Sequence, residues 1–440
     1  MPTSSYDALI IGAGAAGLAA ASEFARARCS ALVLESRLHI GGRIWSHHEP
    51  GLPVPVELGA EFIHGRARAT FSLLAKAGTA ALDTAGEHWS LRSGTLELAG
   101  GLFAELQQAL KRTRALEKRD LSFAALLERY LDRELSEEAR RYARTLAEGF
   151  DAADLRRASA RAIVEEWSGG SSVEAPQFRP LGGYAALLSA LAGGLRGSSV
   201  RLQLNTIVRA VRWKRGAVEA EGTFLGQPFR AAASRAIVTL PLGVLQLPAS
   251  AAGAVRFRPV LKEKRAALTH LAPGPVLKVL LRFKSPFWEK LDKGRYCNAA
   301  FFHAPEAAFP TFWTALPVRT PLLVAWAAGP KADRLAGADG ERMIGEALAS
   351  LTSVFGKGAN IERQLEGAWV HDWQADPYAR GAYSYVTVGG EKARAVLAEP
   401  LLDTLFFAGE AADTEGEAGT VAGALQSGVR AAREVLGKLK

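Results

Sequence analysis

Three glycines and one acid near the start of the chain stand at spacings that could grip a phosphate ester. Gly12, Gly14 and Gly17 form GxGxxG in "YDALIIGAGAAGLAAASEFARARCSALVLE", and Glu35 closes the stretch. In such a loop the first glycine permits a tight turn and the second lets backbone approach a pyrophosphate. The third lets a helix pack on a strand, leaving the helix N-terminus aimed at the anion. An acid about 20 residues beyond the glycines is placed to accept hydrogen bonds from ribose hydroxyls. The elements that must hold these groups are present in order: an apolar strand at Ala8 to Ile11, helix-forming composition from Leu18 to Ala27, and a second strand at Ala31 to Leu34. GxGxxG alone is a weak signal. In this context it indicates an ADP-containing dinucleotide rather than a glycine-rich packing turn.

Other groups are ambiguous on pattern alone. In "PVLKVLLRF", alternation puts Leu277, Val279, Leu281 and Phe283 on one face and Val276, Lys278, Leu280 and Arg282 on the other, so Lys278 reads as an exposed lysine on a half-exposed strand. The aromatic residues of "HDWQADPYARGAYSYVTVGG" (371–390) read equally as core. Glu165 and Glu166 in "AIVEEWSGG" fit either a distal ammonium site or a solvated helix end. Val421, Leu425, Val429, Ala432 and Leu436 recur at helical spacing, and Gly419 and Thr420 open that helix with its positive end free.

Composition excludes several classes. The 440 residues, 48% hydrophobic, can bury a core large enough for two domains. The net charge of +9 is spread without a basic block, so no nucleic-acid partner is expected. Cys29 and Cys297 cannot form a disulfide framework, and a reducing cytoplasm fits. Histidines and cysteines show no metal-ligand spacing, so no metal site is expected. The N-terminal apolar run fails as a signal peptide, because Asp7 precedes it, glycines interrupt it, and Arg26 is its first basic residue. No apolar stretch reaches the roughly 20 residues that span a membrane.

The segment after Glu35 decides between nicotinamide and flavin. "ESRLHIGGRIW" offers the amides of Gly41 and Gly42 beside Arg43 as a second anion cradle, and "ELGAEFIHG" follows at 57–65. With "VTLPLGVLQ" (238–246), "HDWQADPYARGAYSYVTVGG" and "LFFAGEAADTEGEAGTVAGALQSGVRAAREVL" (405–436), these blocks resemble the flavin-dependent amine oxidase family, which includes monoamine oxidases, polyamine oxidases and lysine-specific histone demethylases. The resemblance covers nearly the whole chain and is weakest over residues 66 to 200. It implies an α/β fold: a Rossmann-like FAD-binding domain of the glutathione reductase/amine oxidase type with a second α+β substrate-binding domain.

The resemblance also implies a site. Noncovalent FAD would meet Gly12, Gly14, Ala16, Gly17, Glu35, Arg37, Gly42, Arg43, Gly409, Thr420 and Val421, with Val208 against the adenine and Glu410 on the ribityl chain. Ala382 stands where covalent-flavin relatives carry cysteine. Lys278 would act in catalysis, through a water at flavin N5. Trp373 and Tyr383 would line the cavity, with Thr420 opposite Tyr383 where monoamine oxidases have a second tyrosine. His64 aligns with the histidine of "WIHG" in animal polyamine oxidases and would face the substrate channel, where it could hydrogen-bond or weakly repel an ammonium group. The expected activity is oxidation of a polyamine or primary amine to an imine, with dioxygen reduced to hydrogen peroxide. The alternatives are an L-amino-acid oxidase and a demethylase-like chromatin or peptide-interaction protein. The expected organisation is an FAD domain from 1–65, 195–250 and 395–440 and a substrate domain from 66–194 and 251–394, in a monomer or homodimer. Residues 103 to 167 should be helical. The segments from about 251 to 394 should form a sheet over the flavin.

Overall fold

The structure, a computed structural model, describes residues 5–169 and 175–439. The opening motif folds as its pattern requires, with strand β1 at Ser5–Ile11, helix α1 at Ala15–Ala27 and strand β2 at Ala31–Leu34. β1 pairs in parallel with β2, ending Ile11↔Leu34, and with strand Gln227–Val238, ending Ile11↔Val238. Strand Leu405–Phe407 continues on one side, Val238↔Phe407, and Val200–Gln203 on the other, Gln203↔Leu34. The parallel strands therefore finish level. Ligands of open α/β sheets bind outside those carboxyl ends, so the loops after Ile11, Leu34, Val238 and Phe407 converge on one crevice.

The antiparallel strands Ala217–Phe224 and Thr206–Lys214 extend this sheet, and Arg256–Arg258 runs parallel to the latter at the edge. The stretch from Val200 to Trp213 alternates like a strand pair, yet its two strands do not pair with each other. The chain instead crosses the end of β2: Gln203 accepts from the Glu35 amide, and Thr206 donates to the Glu35 carbonyl at 2.8 Å. That crossing delivers Val208 to the crevice. Helix α1 packs against the C-terminal helix Val421–Gly437, where a Cβ on Gly428 would lie 2.2 Å from the Ala16 carbonyl oxygen, so only glycine permits the approach.

The second sheet runs in the order Leu365–Val370, Val276–Phe283, Leu322–Ala328, Thr311–Thr314, Ala299–His303, Glu87–Arg92 and Thr95–Leu98. Its last two strands come from before residue 100, outside the stretch expected to supply it. Both faces are covered. Leu277, Val279 and Leu281 pack against helix Gly340–Phe355, while Leu280 packs against Val56, Leu58 and Trp313. Lys278 is consequently 2% exposed, which corrects the half-exposed reading of its strand. Pairing alternation does predict which residues share a face. It cannot show that a loop covers the polar one.

Residues 102–168 form the expected helices, including Leu102–Arg112, Phe123–Arg129, Glu137–Gly149 and Ala160–Ser168. Phe123, Leu126, Leu127 and Leu131 are buried among them, whereas Tyr130 lies at a helix end, 42% exposed. Among the described residues no helix is long and apolar enough to cross a membrane, and both cysteines are unbridged.

Candidate active site

Gly12 has φ +111°, a region that disfavours side chains, and a Cβ there would stand 2.5 Å from Thr239 Oγ1. On Gly17 it would stand 1.9 Å from the Gly12 carbonyl oxygen. At Gly14, by contrast, the nearest atom would be 3.7 Å away. Gly14 caps α1 without any side-chain hydrogen bond, so the first amides of that helix remain available to an anion. Glu35, 4% exposed, accepts from the Ala13 amide at 2.8 Å and from the Arg37 amide at 3.0 Å, holding the glycine loop against the end of β2.

One elongated cavity runs along these groups. Gly12, Gly14, Ala16, Glu35, Arg37, Gly42, Arg43, Val208, Gly409, Glu410, Thr420 and Val421 all line it. Gly17 does not, because its part is the close packing of helix on loop. Several polar groups in the wall are already engaged. The Gly41 amide donates to the Ala13 carbonyl and is not offered to an anion as expected. Arg37 is paired with Asp376 at 2.7 Å. Arg43 bonds both the Ala382 carbonyl and Glu410, and the other Glu410 oxygen accepts from the Ser384 amide and hydroxyl. Burial tends to raise the Glu410 carboxyl, but Arg43, Arg394 and Ser384 outweigh it and keep the group ionised. The residues fit a dinucleotide: open amides where the pyrophosphate would lie, a buried acid beside them, and glycines wherever a Cβ would fill the cradle or its support.

A second, larger cavity joins the first at Gly59, Ala60, Lys278, Trp326, Tyr383, Gly419, Thr420 and Val421, which line both. Lys278 projects from the middle of its strand, opposite Trp326, and its ammonium donates to Glu61 at 2.7 Å and to the Gly59 carbonyl at 3.2 Å. Glu61 also takes Arg179 at 2.8 Å and Trp313 Nε1 at 3.1 Å. Burial alone would push the Glu61 carboxyl up, yet Lys278 and Arg179 hold it below the usual range. The cluster of two cations and one anion keeps a net positive charge at the junction.

Tyr383 donates from Oη to the Phe150 carbonyl at 2.6 Å, and its ring lies 3.7 Å from where a Gly419 Cβ would stand. Thr420 caps the C-terminal helix: Oγ1 accepts from the Gly423 amide at 3.1 Å and donates to the Glu417 carbonyl at 2.7 Å. Its hydroxyl is therefore engaged by the helix end. Trp373 lines only the first cavity and donates to the Leu58 carbonyl at 2.9 Å. His64 lines only the second. Burial lowers its pKa to about 4, so at neutral pH the ring is uncharged and cannot repel an ammonium group.

The comparisons with known proteins agree with this geometry along almost the entire chain. Residues 15–436 match the family described as flavin containing amine oxidoreductase. The chain belongs to that family. Human lysine-specific histone demethylase 2 is 27% identical across 97% of the chain, but the match spans only 53% of that protein. Polyamine oxidase 2 of Arabidopsis thaliana is 27% identical across 99% of the chain and 89% of its own length. In fold, the chain superimposes on a wild-type putrescine oxidase structure with putrescine bound at TM-score 0.81, with 23% identity, 99% coverage of this chain and 100% of that one. The fold is thus the two-part α/β architecture of FAD-dependent amine oxidases, the cofactor is FAD, and the chain is an oxidoreductase of the CH–NH and CH–NH2 class.

Sequence reasoning missed Glu61, Arg179 and Trp326 at the junction. One signal was available for Glu61: a lysine placed in a buried strand demands an anion, and "ELGAEFIHG" carries two. The other acid of that block is Glu57, whose carboxyl burial raises to about 7 against hydrogen bonds from the Tyr184 amide and Ser46. The unfolded chain ionises this group near its ordinary value, the folded one only near 7, so stability falls as pH rises between the two and stays low above. Glu57→Gln should therefore gain stability relative to the parent on going from pH 4 to pH 8.5, by about 3 kcal/mol in the difference between the two conditions. Thermal melts at both pH values measure this, and an equal effect at both would contradict it.

Proposed function

We propose that the protein oxidises a polyamine or primary amine to an imine, with dioxygen reduced to hydrogen peroxide and water hydrolysing the imine. The observation that carries this is the meeting of the two cavities at Lys278, Tyr383 and Thr420. Bound FAD would supply the two-electron chemistry and accept the equivalent of a hydride. The protein's part is to place the amine, exclude water and set the field. Tyr383 offers a flat wall whose hydroxyl is turned away onto the Phe150 carbonyl, leaving the ring for an uncharged amine. Lys278, held by Glu61, offers positive charge where reduced oxygen species would develop negative charge. The N-terminus of the Val421–Gly437 helix offers positive potential at the same end of the cofactor cavity.

The remaining assignments belong to the same proposal. FAD is held noncovalently, since Ala382 offers no thiol. Residues 1–65, 195–250 and 395–440 make the FAD-binding domain, supported by the large sheet to which all three segments contribute strands, although its edge strand Arg256–Arg258 comes from beyond them and Ile63–His64 pairs with Gln177–Pro180 instead; 66–194 with 251–394 make the substrate domain. The protein is a cytoplasmic monomer or homodimer. An L-amino-acid oxidase would need a free guanidinium for the carboxylate. Arg92, Arg141 and Arg394 line the second cavity, but Arg394 bonds Ser384 through both terminal nitrogens, Arg92 is paired with Glu97 and Glu138, and Arg141 is paired with Glu137.

The test is anaerobic bleaching of the visible flavin band by polyamines, monoamines and L-amino acids, followed by admission of air. Amines should bleach it, and air should return both colour and peroxide. Bleaching by L-amino acids alone would overturn the substrate assignment. After acid precipitation the flavin should stay in the supernatant, and a yellow pellet would refute noncovalent binding.

A further inference from the structure

The Lys278 ammonium carries three hydrogens and donates two of them, to Glu61 Oε2 at 2.7 Å and to the Gly59 carbonyl at 3.2 Å. The third has no acceptor among the described residues. Since Glu61 and Gly59 take two directions of a tetrahedral nitrogen, the third is left for the junction of the two cavities, which Lys278 lines on both sides. The side chain is thereby aimed as well as buried.

Glu61 is fixed in turn, its Oε1 accepting from Arg179 Nε at 2.8 Å and both its oxygens from Trp313 Nε1 at 3.1 Å. Arg179, on the strand Gln177–Pro180, is fully engaged. Its terminal nitrogens donate to the Leu316 carbonyl at 2.7 Å and the Thr314 carbonyl at 2.9 Å, and its guanidinium lies 4.5 Å from the centre of the Phe62 ring. Three separated segments thus meet at one carboxylate. An ammonium buried without an anion tends to release its proton, whereas one carboxylate facing one ammonium cancels its charge. The second cation resolves the conflict.

The other ionisable groups around the junction do not take over either task. Glu57 is raised to about 7 by burial and accepts from Ser46 and the Tyr184 amide, Tyr383 is kept a neutral phenol by burial, and His64 is uncharged.

We propose that Glu61 and Arg179 are positioning residues for the oxygen half of the reaction: Glu61 keeps the Lys278 ammonium charged and aimed, and Arg179 fixes Glu61 and restores the positive charge that Glu61 would cancel. The inference rests on the reading of Lys278 given above. It goes further by making the charge on Lys278 conditional on two residues from other segments.

The experiment reduces the holoenzyme with light and EDTA under anaerobic conditions, so that no amine is needed, and mixes it with dissolved dioxygen from pH 6 to pH 9. Reoxidation of the parent should vary by less than about twofold. Glu61→Gln should lie within about threefold of the parent at pH 6 and slow by about tenfold or more towards pH 9, approaching Lys278→Met, because the unpaired ammonium loses its proton as pH rises. Glu61→Asp, which keeps the charge on a shorter stem, should recover the flat profile at a lower rate. Arg179→Gln should be slower by about tenfold at every pH, without the slope, and serves with Glu61→Asp if Glu61→Gln fails to fold.

A second readout involves no turnover. In the oxidised holoenzyme labelled at lysine Cε, the Lys278 resonance is identified by its loss in Lys278→Met. It should shift with deprotonation between pH 6 and pH 9 in Glu61→Gln, and not in the parent or in Glu61→Asp. A Glu61→Gln protein that reoxidises like the parent at every pH, or whose Lys278 resonance keeps its charge, would overturn the inference, as would an Arg179→Gln protein with parental reoxidation. If Lys278→Met itself reoxidised like the parent, the reading of Lys278 would fall and the inference with it. If Lys278→Met is slow and only the Glu61 and Arg179 variants are parental, the inference alone falls.

Discussion

Lys278→Met should slow the reaction of the reduced protein with dioxygen by about 100-fold while leaving anaerobic reduction by the amine within about tenfold. Methionine matches the length of the lysine stem, so the strand register opposite Trp326 and the contact with Trp313 need not change. What disappears is the ammonium at the junction of the two cavities. Glu61 would still hold Arg179 at 2.8 Å and Trp313 at 3.1 Å, so the variant leaves no unpaired buried carboxylate, which is why it should fold. The net charge of the cluster falls from positive to zero, and that field is what a developing superoxide-like anion would meet. Stopped-flow traces separate the two half-reactions. A variant that merely loosens the fold would slow both alike. Unchanged reoxidation and turnover would remove Lys278 from the mechanism.

The dinucleotide grip was legible because it is local. A turn, a helix start and two strands lie within about 30 residues; Gly12 and Gly17 answer steric demands made by Thr239 at the end of the adjacent strand and by the turn itself, while Gly14 leaves the approach to the helix amides open. The helix Val421–Gly437 was legible for the same reason, from its apolar period and the cap at Thr420. The junction was not. Lys278, Glu61, Arg179 and Trp313 come from four separated segments, and their mutual pairing is invisible until the second sheet forms and the loop around Gly59 lies over it. Strand alternation treated Lys278 as exposed because an unpartnered lysine belongs in water. A buried lysine in that register was a statement about a partner far away in sequence. Asp151 shows the same limit: its buried carboxylate accepts from Trp167 Nε1, a helix away, and nothing in "GFDAADL" distinguishes it from a solvated acid.

Gly17→Ala should strongly disturb the fold and the cofactor grip through a single methyl group. The new Cβ would stand 1.9 Å from the Gly12 carbonyl oxygen and 3.3 Å from Thr239 Oγ1, so the glycine turn and the first turn of α1 must separate by more than an ångström. Backbone meets backbone here, and no flexible side chain can yield. Separation draws α1 away from β1 and also disturbs its seam with the C-terminal helix, where Gly428 sits against the Ala16 carbonyl. Overpacking of this kind costs about 3 kcal/mol, and movement of the open helix amides removes the geometry that receives a pyrophosphate. The expected product is a destabilised protein that purifies largely without flavin. Gly14→Ala is the matched control, because its methyl meets no protein atom closer than 3.7 Å. That variant should fold with near-parental thermal stability as apoprotein yet bind FAD more weakly, by about tenfold or more, since backbone approach to the pyrophosphate is what its hydrogen permits. Flavin content and apoprotein melting temperature, measured on both, distinguish support of the loop from contact with the cofactor. A yellow Gly17→Ala protein of normal stability would mean that helix and turn are not packed as closely as these distances require.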